Sequence, residues 1–139
     1  CGALLGVNVT ICTPQGFEPK SNILEKAKLL AKFASNIALC NDPSEAVKGV
    51  DVIYTDVWAS MGQEEEQSKR KKIFEKYVVD QKLIEQADKS VIVMHCLPAH
   101  RGEEITEGAL ESSCSCVFEQ AENRLHVQQA LLAAQLGGL

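Results

Sequence analysis

The chain has 139 residues, of which 45% are hydrophobic and 24% charged, and this balance predicts one globular unit with a core of its own. Its formal net charge of −5 disfavours nucleic acid as a main partner, because phosphate binding needs a basic surface. No apolar run approaches the ~20 residues of a membrane span, and the amino end lacks the pattern of a signal peptide. The composition therefore favours an intracellular protein with small-molecule partners over one that binds mainly nucleic acid or a membrane.

The first predicted elements alternate between strand and helix. Residues 1–6 resemble the last turns of a helix, residues 7–12 form an apolar strand, and residues 21–34 have helical periodicity. The apolar stripe of that helix, which should face the sheet, consists of Ile23, Ala27, Leu30 and Ala34. A second helix is predicted after Asp42, which is an N-cap acid followed by proline and, at the third helical position, glutamate, and it should stop at Gly49.

Two later runs are rich in β-branched residues and each ends at polar side chains. Residues 50–55 and 90–94 have the length and composition of parallel strands that are buried on both faces. Asp56 follows the first run and Cys96 follows the second. Ligands of open α/β sheets bind outside the carboxyl ends of the strands, so both side chains should face one crevice if their strands are neighbours.

A further run, residues 115–118, is predicted to be another strand, which would bring Arg124 to the same rim. A guanidinium on an apolar helix stripe needs a partner, which is either Glu119 or Glu122 in an ion pair or an anion in the crevice. The order of elements predicts the α/β class, with a parallel, doubly wound, Rossmann-like sheet and helices on both faces. Its usual first strand is missing, which suggests a piece of a larger protein.

Several of these residues have structural as well as functional interpretations. Ser60 and Gln63 form a capping box, although the same helix start could bind a carboxylate. Asp56 could cap a turn. Trp58 could line the crevice or fill the core. Cys96 could be one more buried thiol, but it lies where a strand becomes a loop, which is where reactive groups are exposed.

The cysteines are numerous for this length: Cys1, Cys12, Cys40, Cys96, Cys114 and Cys116. Most lie in or beside apolar strands, which predicts free buried thiols rather than a disulfide framework. Cys114 and Cys116 have no second pair that would complete a zinc site, and His95, Cys96 and His100 match no strong zinc pattern. No metal site is predicted.

Three segments together resemble the transcarbamylase family, and among its members those that act on ornithine. They are Asp-Val-Trp-Ala-Ser-Met-Gly at residues 56–62, His-Cys-Leu-Pro at residues 95–98 and Ala-Glu-Asn-Arg at residues 121–124. Their order and spacing also match, and the likeness extends over the whole chain. The resemblance implies carbamoyl transfer from carbamoyl phosphate to the side-chain amine of L-ornithine, giving L-citrulline and phosphate without a cofactor.

The resemblance also implies roles for individual residues on the ornithine side. Asp56, Ser60 and Met61 would hold the amino-acid end of ornithine. Cys96 would lie beside the attacking amine, as its proton acceptor or as the group that orients it.

On the carbamoyl phosphate side, the resemblance implies that Cys96, Leu97 and Arg124 contact the substrate, with Arg124 at its carbonyl oxygen. The tetrahedral adduct develops an oxyanion there, which a fixed positive donor stabilises. His95 and Pro98 would support this strand end.

The same resemblance sets expectations for the rest of the protein. Residues 1–139 would be most of the second, amino-acid-binding domain, and the final helix, at about residues 120–136, would pack on an absent carbamoyl phosphate domain. The full-length enzyme would be a homotrimer in arginine biosynthesis. It would be cytoplasmic, or located in an organelle matrix or stroma.

Other functions remain open at the level of sequence. A related enzyme could carbamoylate putrescine or acetylornithine. A nucleotide-binding Rossmann-like module could use Asp42 on a ribose, although no Gly-x-Gly-x-x-Gly run is present. A regulatory or scaffolding fragment could keep the fold without catalysis.

Overall fold

The computed structural model describes residues 1–59 and 64–137, with only the backbone described for residues 64–67. The chain divides into two compact units, Cys1–Lys48 and Gly49–Leu139. Helices of the first unit are α1 (Gly2–Leu5), α2 (Ser21–Leu29) and α3 (Pro43–Ala46), and its strands are β1 (Val9–Cys12) and β2 (Ile37–Cys40). Helices of the second unit are α4 (Glu64–Phe74), α5 (Gln81–Ile84), α6 (Glu107–Leu110) and α7 (Val117–Gln135), and its strands are β3 (Val52–Thr55) and β4 (Ile92–His95). None of the helices in the described part of the chain is long and apolar enough to cross a lipid bilayer.

Strands and helices alternate through most of the chain, which confirms the α/β class. In the first unit β1 pairs with β2 in parallel, from Val9 opposite Ile37 to Cys12 opposite Cys40. Strand β1 starts two residues later than predicted because the end of α1 uses the preceding residues. Gly6 ends that helix in the left-handed conformation (φ 77°), and the Val7 amide donates to the Gly2 carbonyl.

Helix α2 is shorter than predicted, and the side of the helix that is partly buried differs from the predicted side. It ends at Leu29, and Phe33 and Ala34 have positive φ angles of 55° and 57°, which no helix accommodates. The predicted stripe is wrong, since Ile23 is 58% exposed and Leu30 is 45% exposed. The half-buried positions are Leu24, Ala27 and Ala31. Residues after the helix turn away because the Lys32 amide bonds to the Ala3 carbonyl, a long-range contact that periodicity does not encode.

Helix α3 begins where the sequence predicts. Asp42 is its N-cap and accepts a hydrogen bond from the Ser44 amide at 2.9 Å, Pro43 occupies the first position, and Gly49 follows with φ 67°. The Asp42 carboxylate is therefore used as a helix cap, which removes the feature that suggested ribose binding.

In the second unit β3 pairs with β4 in parallel, from Val52 opposite Ile92 to Thr55 opposite His95. Both strands fall within one or two residues of the predicted runs. The buried apolar side chains of this unit are Ile53, Val79, Leu83, Val91, Val93, Ile105, Ala109, Leu110 and Val117. Two polar side chains, His95 and Glu104, are buried among them.

The strand predicted at residues 115–118 is wrong. Ser115 forms only an isolated parallel bridge with Val93, and α7 already begins at Val117. The Val93 amide donates to the Cys114 carbonyl and its carbonyl accepts from the Cys116 amide, both at 2.8 Å. The helix prevails because the residues that follow are good helix formers, with an acid in the first turn that complements the helix dipole.

Helix α7 buries Val117 and exposes most of its other large apolar side chains. The exposed ones are Phe118, Leu125, Val127, Leu131 and Leu132, and Leu136, directly after the helix, is exposed as well. Exposed apolar surface of this extent typically covers another surface. The packing of α7 on a further domain remains a prediction.

All the cysteines are free, as predicted, but none of them is fully buried. Cys1 is exposed and the others are half-buried. Burial raises the pKa of Cys12 to about 12, with its cross-strand partner Cys40 adding to the shift.

Candidate active site

Asp56 and Cys96 lie side by side at the carboxyl ends of β3 and β4. Because Thr55 is opposite His95 in the parallel register, the next residue of each strand meets the other. The Cys96 thiol donates to Asp56 Oδ1 with a sulfur–oxygen distance of 2.9 Å. This contact confirms that the two side chains share one edge of the β3–β4 pair.

The turn interpretation of Asp56 is correct as well. Its Oδ1 also accepts a hydrogen bond from the Val57 amide at 2.7 Å, which fixes the carboxylate at the start of the loop. Asp56 is exposed and Cys96 is half-buried, so a ligand can reach both. A ligand bound at this edge could therefore contact the carboxylate of Asp56 and the thiol of Cys96 at the same time.

The surroundings of Cys96 favour the thiol over the thiolate. Burial raises the pKa of Cys96, and the hydrogen bond to Asp56 and the negative charge of that carboxylate raise it further. Its own backbone amide and the Tyr54 hydroxyl oppose the shift in pKa by donating towards the sulfur. At neutral pH the side chain is therefore a hydrogen-bond donor and a poor proton acceptor.

We expect Asp56→Asn to speed the alkylation of Cys96. The substitution removes the neighbouring negative charge, so the pKa of Cys96 falls towards its ordinary value and more thiolate is present at a given pH. Because one pKa unit is tenfold in thiolate fraction, the rate at pH 8 should rise by roughly 2- to 10-fold. Iodoacetamide labelling with mass spectrometry of the Cys96 peptide measures this rate. Labelling of Cys1, which is exposed, is the internal control, and an unchanged or slower Cys96 rate contradicts the expected role of Asp56.

His95 precedes Cys96, and its ring is buried with both nitrogens in use. The Leu97 amide donates to His95 Nδ1 at 2.8 Å, so Nδ1 carries no hydrogen. The ring is therefore neutral, and its proton lies on Nε2, which faces Glu104 Oε1 at 3.1 Å. His95 has no nitrogen left for a metal, which argues against the His95, Cys96 and His100 set considered in the sequence.

Leu97 has an unusual backbone that this imidazole stabilises. Its φ is 53°, in the left-handed region, and a branched side chain there costs on the order of 1–3 kcal/mol. The hydrogen bond from its amide to His95 offsets part of that cost. Leu97 is half-buried and Pro98, joined to it by a cis peptide bond, is exposed. The structure thus joins the Leu97 backbone to the His95 ring, and the supporting role of His95 and Pro98 stays a prediction.

Two residues that the sequence did not single out complete this network. Glu104 is fully buried, and its Oε1 accepts from His95 Nε2 and from the His100 amide, the latter at 2.6 Å. Gln120, in the first turn of α7, accepts from the His95 amide and donates to the Tyr54 hydroxyl, both at 3.1 Å. Gln120 directly precedes the Ala-Glu-Asn-Arg motif at residues 121–124, and this position could have identified it as a candidate site residue. No sequence pattern distinguishes Glu104.

Arg124 lies in α7 and is exposed. Within the described residues it forms no hydrogen bond or ion pair, so the predicted ion pairs with Glu119 and Glu122 are wrong. Glu122 instead faces His126 at 3.5 Å. The approach of Arg124 to Cys96 remains a prediction. Ser60 and Met61, expected to bind ornithine, lie outside the described residues.

Trp58 lines a surface pocket rather than filling the core. Its ring stacks at a tilt on Phe74 with centroids 5.9 Å apart, and its carbonyl accepts from Arg70 Nη1 at 3.0 Å. The other lining residues are Lys71, Lys72, Glu75, Val78, Gly102 and Glu103.

The side chains of His100, Glu103 and Glu104 bring potential metal ligands within 4.8 Å of one another. A cation is already present at this cluster, because Lys71 Nζ lies 2.6 Å from Glu103 Oε1. Glu104 Oε1 is also engaged by His95 and His100. Hydrogen bonds and an ion pair within the protein therefore engage Glu103 and Glu104 Oε1, whereas Glu104 Oε2 is buried without a hydrogen-bond partner.

Comparison with known proteins connects this geometry to a family. The family model described as "Aspartate/ornithine carbamoyltransferase, Asp/Orn binding domain" matches residues 1–135. Ornithine carbamoyltransferase of Prochlorococcus marinus is 63% identical over 139 residues, which is 100% of this chain and 44% of that protein. The chain thus spans less than half the length of the curated relatives that it matches.

Solved structures agree with this assignment. Ornithine carbamoyltransferase from Pyrococcus furiosus matches with a TM-score of 0.91 and 48% identity over 99% of this chain and 44% of that chain. An N-acetyl-L-ornithine transcarbamylase variant complexed with carbamyl phosphate matches with a TM-score of 0.81 and 26% identity over 96% of this chain and 41% of that chain.

Proposed function

Because the chain belongs to the aspartate/ornithine carbamoyltransferase family, we propose that its full-length protein transfers a carbamoyl group from carbamoyl phosphate to the side-chain amine of L-ornithine. The products are L-citrulline and phosphate. The observation that carries the proposal is the 2.9 Å contact between Cys96 and Asp56 at the common end of β3 and β4. It places the two ornithine-side groups implied by the motifs within one hydrogen bond of each other.

The proposed transfer reaction requires two functions at the carboxyl ends of β3 and β4: binding of ornithine and orientation of its attacking amine. The side-chain amine, with a pKa near 10, must give its ammonium proton to the solvent before it attacks, and the N–H proton that it loses on forming the new C–N bond leaves with the phosphate product. Asp56, with Ser60 and Met61, is proposed to hold the amino-acid end of ornithine. Cys96, protonated beside Asp56, orients the amine through its sulfur rather than serving as the base.

The electrophile is proposed to lie on the other side of Cys96. Cys96 and Leu97 contact carbamoyl phosphate, and Arg124 contacts its carbonyl oxygen, where negative charge develops in the tetrahedral adduct. The exposed guanidinium of Arg124 has no ion-pair partner within the described residues, which leaves it available to an anion. The reaction as proposed uses no cofactor.

We propose ornithine rather than another amine as the substrate because of the sequence identity between this chain and its relatives. The Prochlorococcus enzyme is 63% identical and is named for ornithine, whereas the acetylornithine enzyme is 26% identical. Initial rates of the full-length enzyme with ornithine, N-acetylornithine, putrescine and aspartate test this choice. We expect citrulline formation to exceed the other rates at least ~100-fold, since a site built for a polar group rejects analogues that leave its groups unpaired. A faster reaction with any competitor reassigns the substrate.

We expect the 139-residue chain alone to form no citrulline. The chain matches 44% of the length of its relatives, and the binding groups for the phosphate end of carbamoyl phosphate are not among its motifs. A colorimetric citrulline assay with the chain and with the full-length enzyme, at equal molar concentration, makes the comparison. Turnover by the chain alone contradicts the proposed division of the site between two domains.

The final helix is part of the same proposal. Residues of about 120–136 would pack on the carbamoyl phosphate domain, which is supported by the exposed apolar side chains of α7, including Leu125, Val127 and Leu131. Mixing the chain with the separately expressed remainder of the enzyme should restore some activity if this surface drives association.

The proposal extends to assembly and location. The full-length enzyme is proposed to be a homotrimer acting in arginine biosynthesis, on the strength of the three motifs. A reducing compartment is supported by the free cysteines, so the cytoplasm, or an organelle matrix or stroma, is proposed. Light scattering and cell fractionation test these two points.

A further inference from the structure

We propose that Cys12 and Cys40 form a reversible disulfide, which makes the paired ends of β1 and β2 a redox modification site. The two residues are the last of their strands and lie directly opposite each other in the parallel register. Both are free and half-buried. The co-reactant is a small disulfide such as glutathione disulfide. The site lies within the first unit and does not depend on the proposed transfer reaction.

The parallel register places the two side chains on the same face of the strand pair. Neighbouring strands are about 4.8 Å apart, and a disulfide joins Cα atoms that are roughly 4.4 to 6.8 Å apart. The Cβ atoms must approach each other by about 1 Å, because they start near the strand spacing and a disulfide favours roughly 3.8 Å. Since Cys12 and Cys40 end their strands, this movement disturbs little of the pairing between β1 and β2.

The two thiols already interact in the reduced protein. Burial, then the charge of Cys40 and a hydrogen bond between the two side chains, together raise the pKa of Cys12 to about 12. The Cys40 thiol is held in turn, because it donates to the Asp42 carbonyl at 3.2 Å. The backbone on either side is also joined, since the Thr13 amide donates to the Cys40 carbonyl at 3.1 Å. The sulfur atoms are therefore positioned before an oxidant arrives.

The raised pKa of Cys12 sets the order of the chemical steps. Cys12 keeps its proton at neutral pH, so the Cys40 thiolate attacks one sulfur of glutathione disulfide, and one glutathione leaves as its thiolate. Cys12 then gives up its proton to that thiolate, and its sulfur attacks the Cys40 sulfur. The bond between Cys40 and glutathione breaks, which releases the second glutathione. Two protein thiols are thereby oxidised, and one glutathione disulfide is reduced to two glutathione molecules that carry the two protons.

The second step is favoured by proximity, and the product can be reversed. Once Cys40 is bonded to glutathione it carries no charge, so one cause of the raised pKa of Cys12 is removed. Two sulfur atoms in contact also react far faster than the same groups free in solution. The strain of drawing the Cβ atoms together makes the disulfide easier to reduce, so excess thiol should restore both cysteines. Disulfides of this transient kind suit a reducing compartment.

The first experiment maps disulfides in the folded full-length enzyme. The enzyme is incubated with glutathione disulfide, free thiols are blocked with N-ethylmaleimide, and peptides from a digest without reductant are identified by mass spectrometry. We expect the peptide linked through Cys12 and Cys40 to be the most abundant disulfide among the cysteines of this chain, and dithiothreitol to remove it. In concentrated urea, where the register is lost, the preference for this pair should disappear. Absence of the linked peptide from the folded enzyme overturns the inference.

Single serine variants of the full-length enzyme test the pairing and the order of the steps. In Cys12→Ser we expect glutathione to accumulate on Cys40, because the thiol that would displace it is gone. In Cys40→Ser we expect glutathione on Cys12 to be at least ~10-fold less abundant, because Cys12 is rarely a thiolate. The matched control is Cys1→Ser, since Cys1 is exposed and lies on the same tryptic peptide as Cys12. Its loss should leave the link unchanged.

The outcomes separate this pair from other oxidation of the protein. If the link disappears in Cys1→Ser and persists in Cys12→Ser, Cys1 is the partner of Cys40 and the inference is wrong. If glutathione accumulates on Cys12 rather than on Cys40 in the two variants, the proposed order of attack is contradicted. A serine hydroxyl can still donate to the Asp42 carbonyl, so Cys40→Ser should fold. If a variant does not fold, the map of the unsubstituted enzyme decides, because it needs no substitution.

Discussion

Replacing Cys96 by alanine should lower kcat for citrulline formation by ~100-fold in the full-length enzyme. The sulfur lies 2.9 Å from Asp56 Oδ1, so it lies beside the proposed ornithine site and is placed to orient the attacking amine. The substitution also removes the donor to Asp56 without creating a buried void, because Cys96 is only half-buried. Steady-state kinetics with saturating ornithine and carbamoyl phosphate gives the change in kcat. An unchanged rate would remove Cys96 from the proposed mechanism.

Cys96→Ser distinguishes two roles for the sulfur. A serine hydroxyl still donates to Asp56 but is a far weaker acid than a thiol, so it cannot replace a thiolate base. Because the raised pKa of Cys96 favours the protonated form, we expect Cys96→Ser to recover roughly 10-fold of the activity that alanine loses. Equal rates for the serine and alanine variants would instead indicate that the thiolate accepts the proton.

The sequence could predict that Asp56 and Cys96 follow two strands, because both strands have a clear local composition. Two β-branched runs, each followed by a polar residue, place Asp56 and Cys96 at equivalent positions once β3 and β4 are neighbours. Composition and length predict the two strands, and the observed pairing of β3 with β4 supplies the condition on which the prediction depended. The strand limits shifted by one or two residues without affecting the conclusion.

The buried network behind Cys96 could not be predicted in the same way. Glu104 follows another acid and precedes Ile105, so the sequence gives the appearance of an exposed acidic loop. Its burial results from the bridge between Val79 and Ile105, which joins segments more than twenty residues apart. Long-range pairing of this kind leaves no periodic signal in the residues themselves.

Two other predictions failed because local patterns competed. The segment from Ser115 to Phe118 has strand composition, but the helix formers that follow convert it to the start of α7 after an isolated bridge. In α2 the helical period fits the stripe through Ile23 as well as the half-buried one through Leu24, so periodicity alone does not identify the buried side. In each case the chain resolved an ambiguity through tertiary contacts.

Arg124→Ala should lower kcat by ~100- to 1000-fold, which is the effect of removing one donor to a developing oxyanion. Its stability should change little, because the side chain is exposed and has no ion pair within the described residues. Urea unfolding measures the change in stability, and steady-state kinetics measures the change in kcat. A large loss of stability with an unchanged kcat would assign Arg124 a structural role.

The matched controls for Arg124 test both the position and the shape of the charge. Arg101 is another partly exposed arginine, but its guanidinium is already paired with Glu107 and Glu111, each at 2.6 Å, so Arg101→Ala should leave kcat within about 2-fold. Arg124→Lys keeps the charge and loses the planar fork, and its kcat should fall between those of the unsubstituted enzyme and Arg124→Ala. If lysine restored the full rate, a point charge would suffice and contact with the carbonyl oxygen through a fixed fork would be contradicted. If Arg101→Ala were as damaging as Arg124→Ala, the effect would reflect lost net charge rather than a guanidinium at the reacting carbonyl.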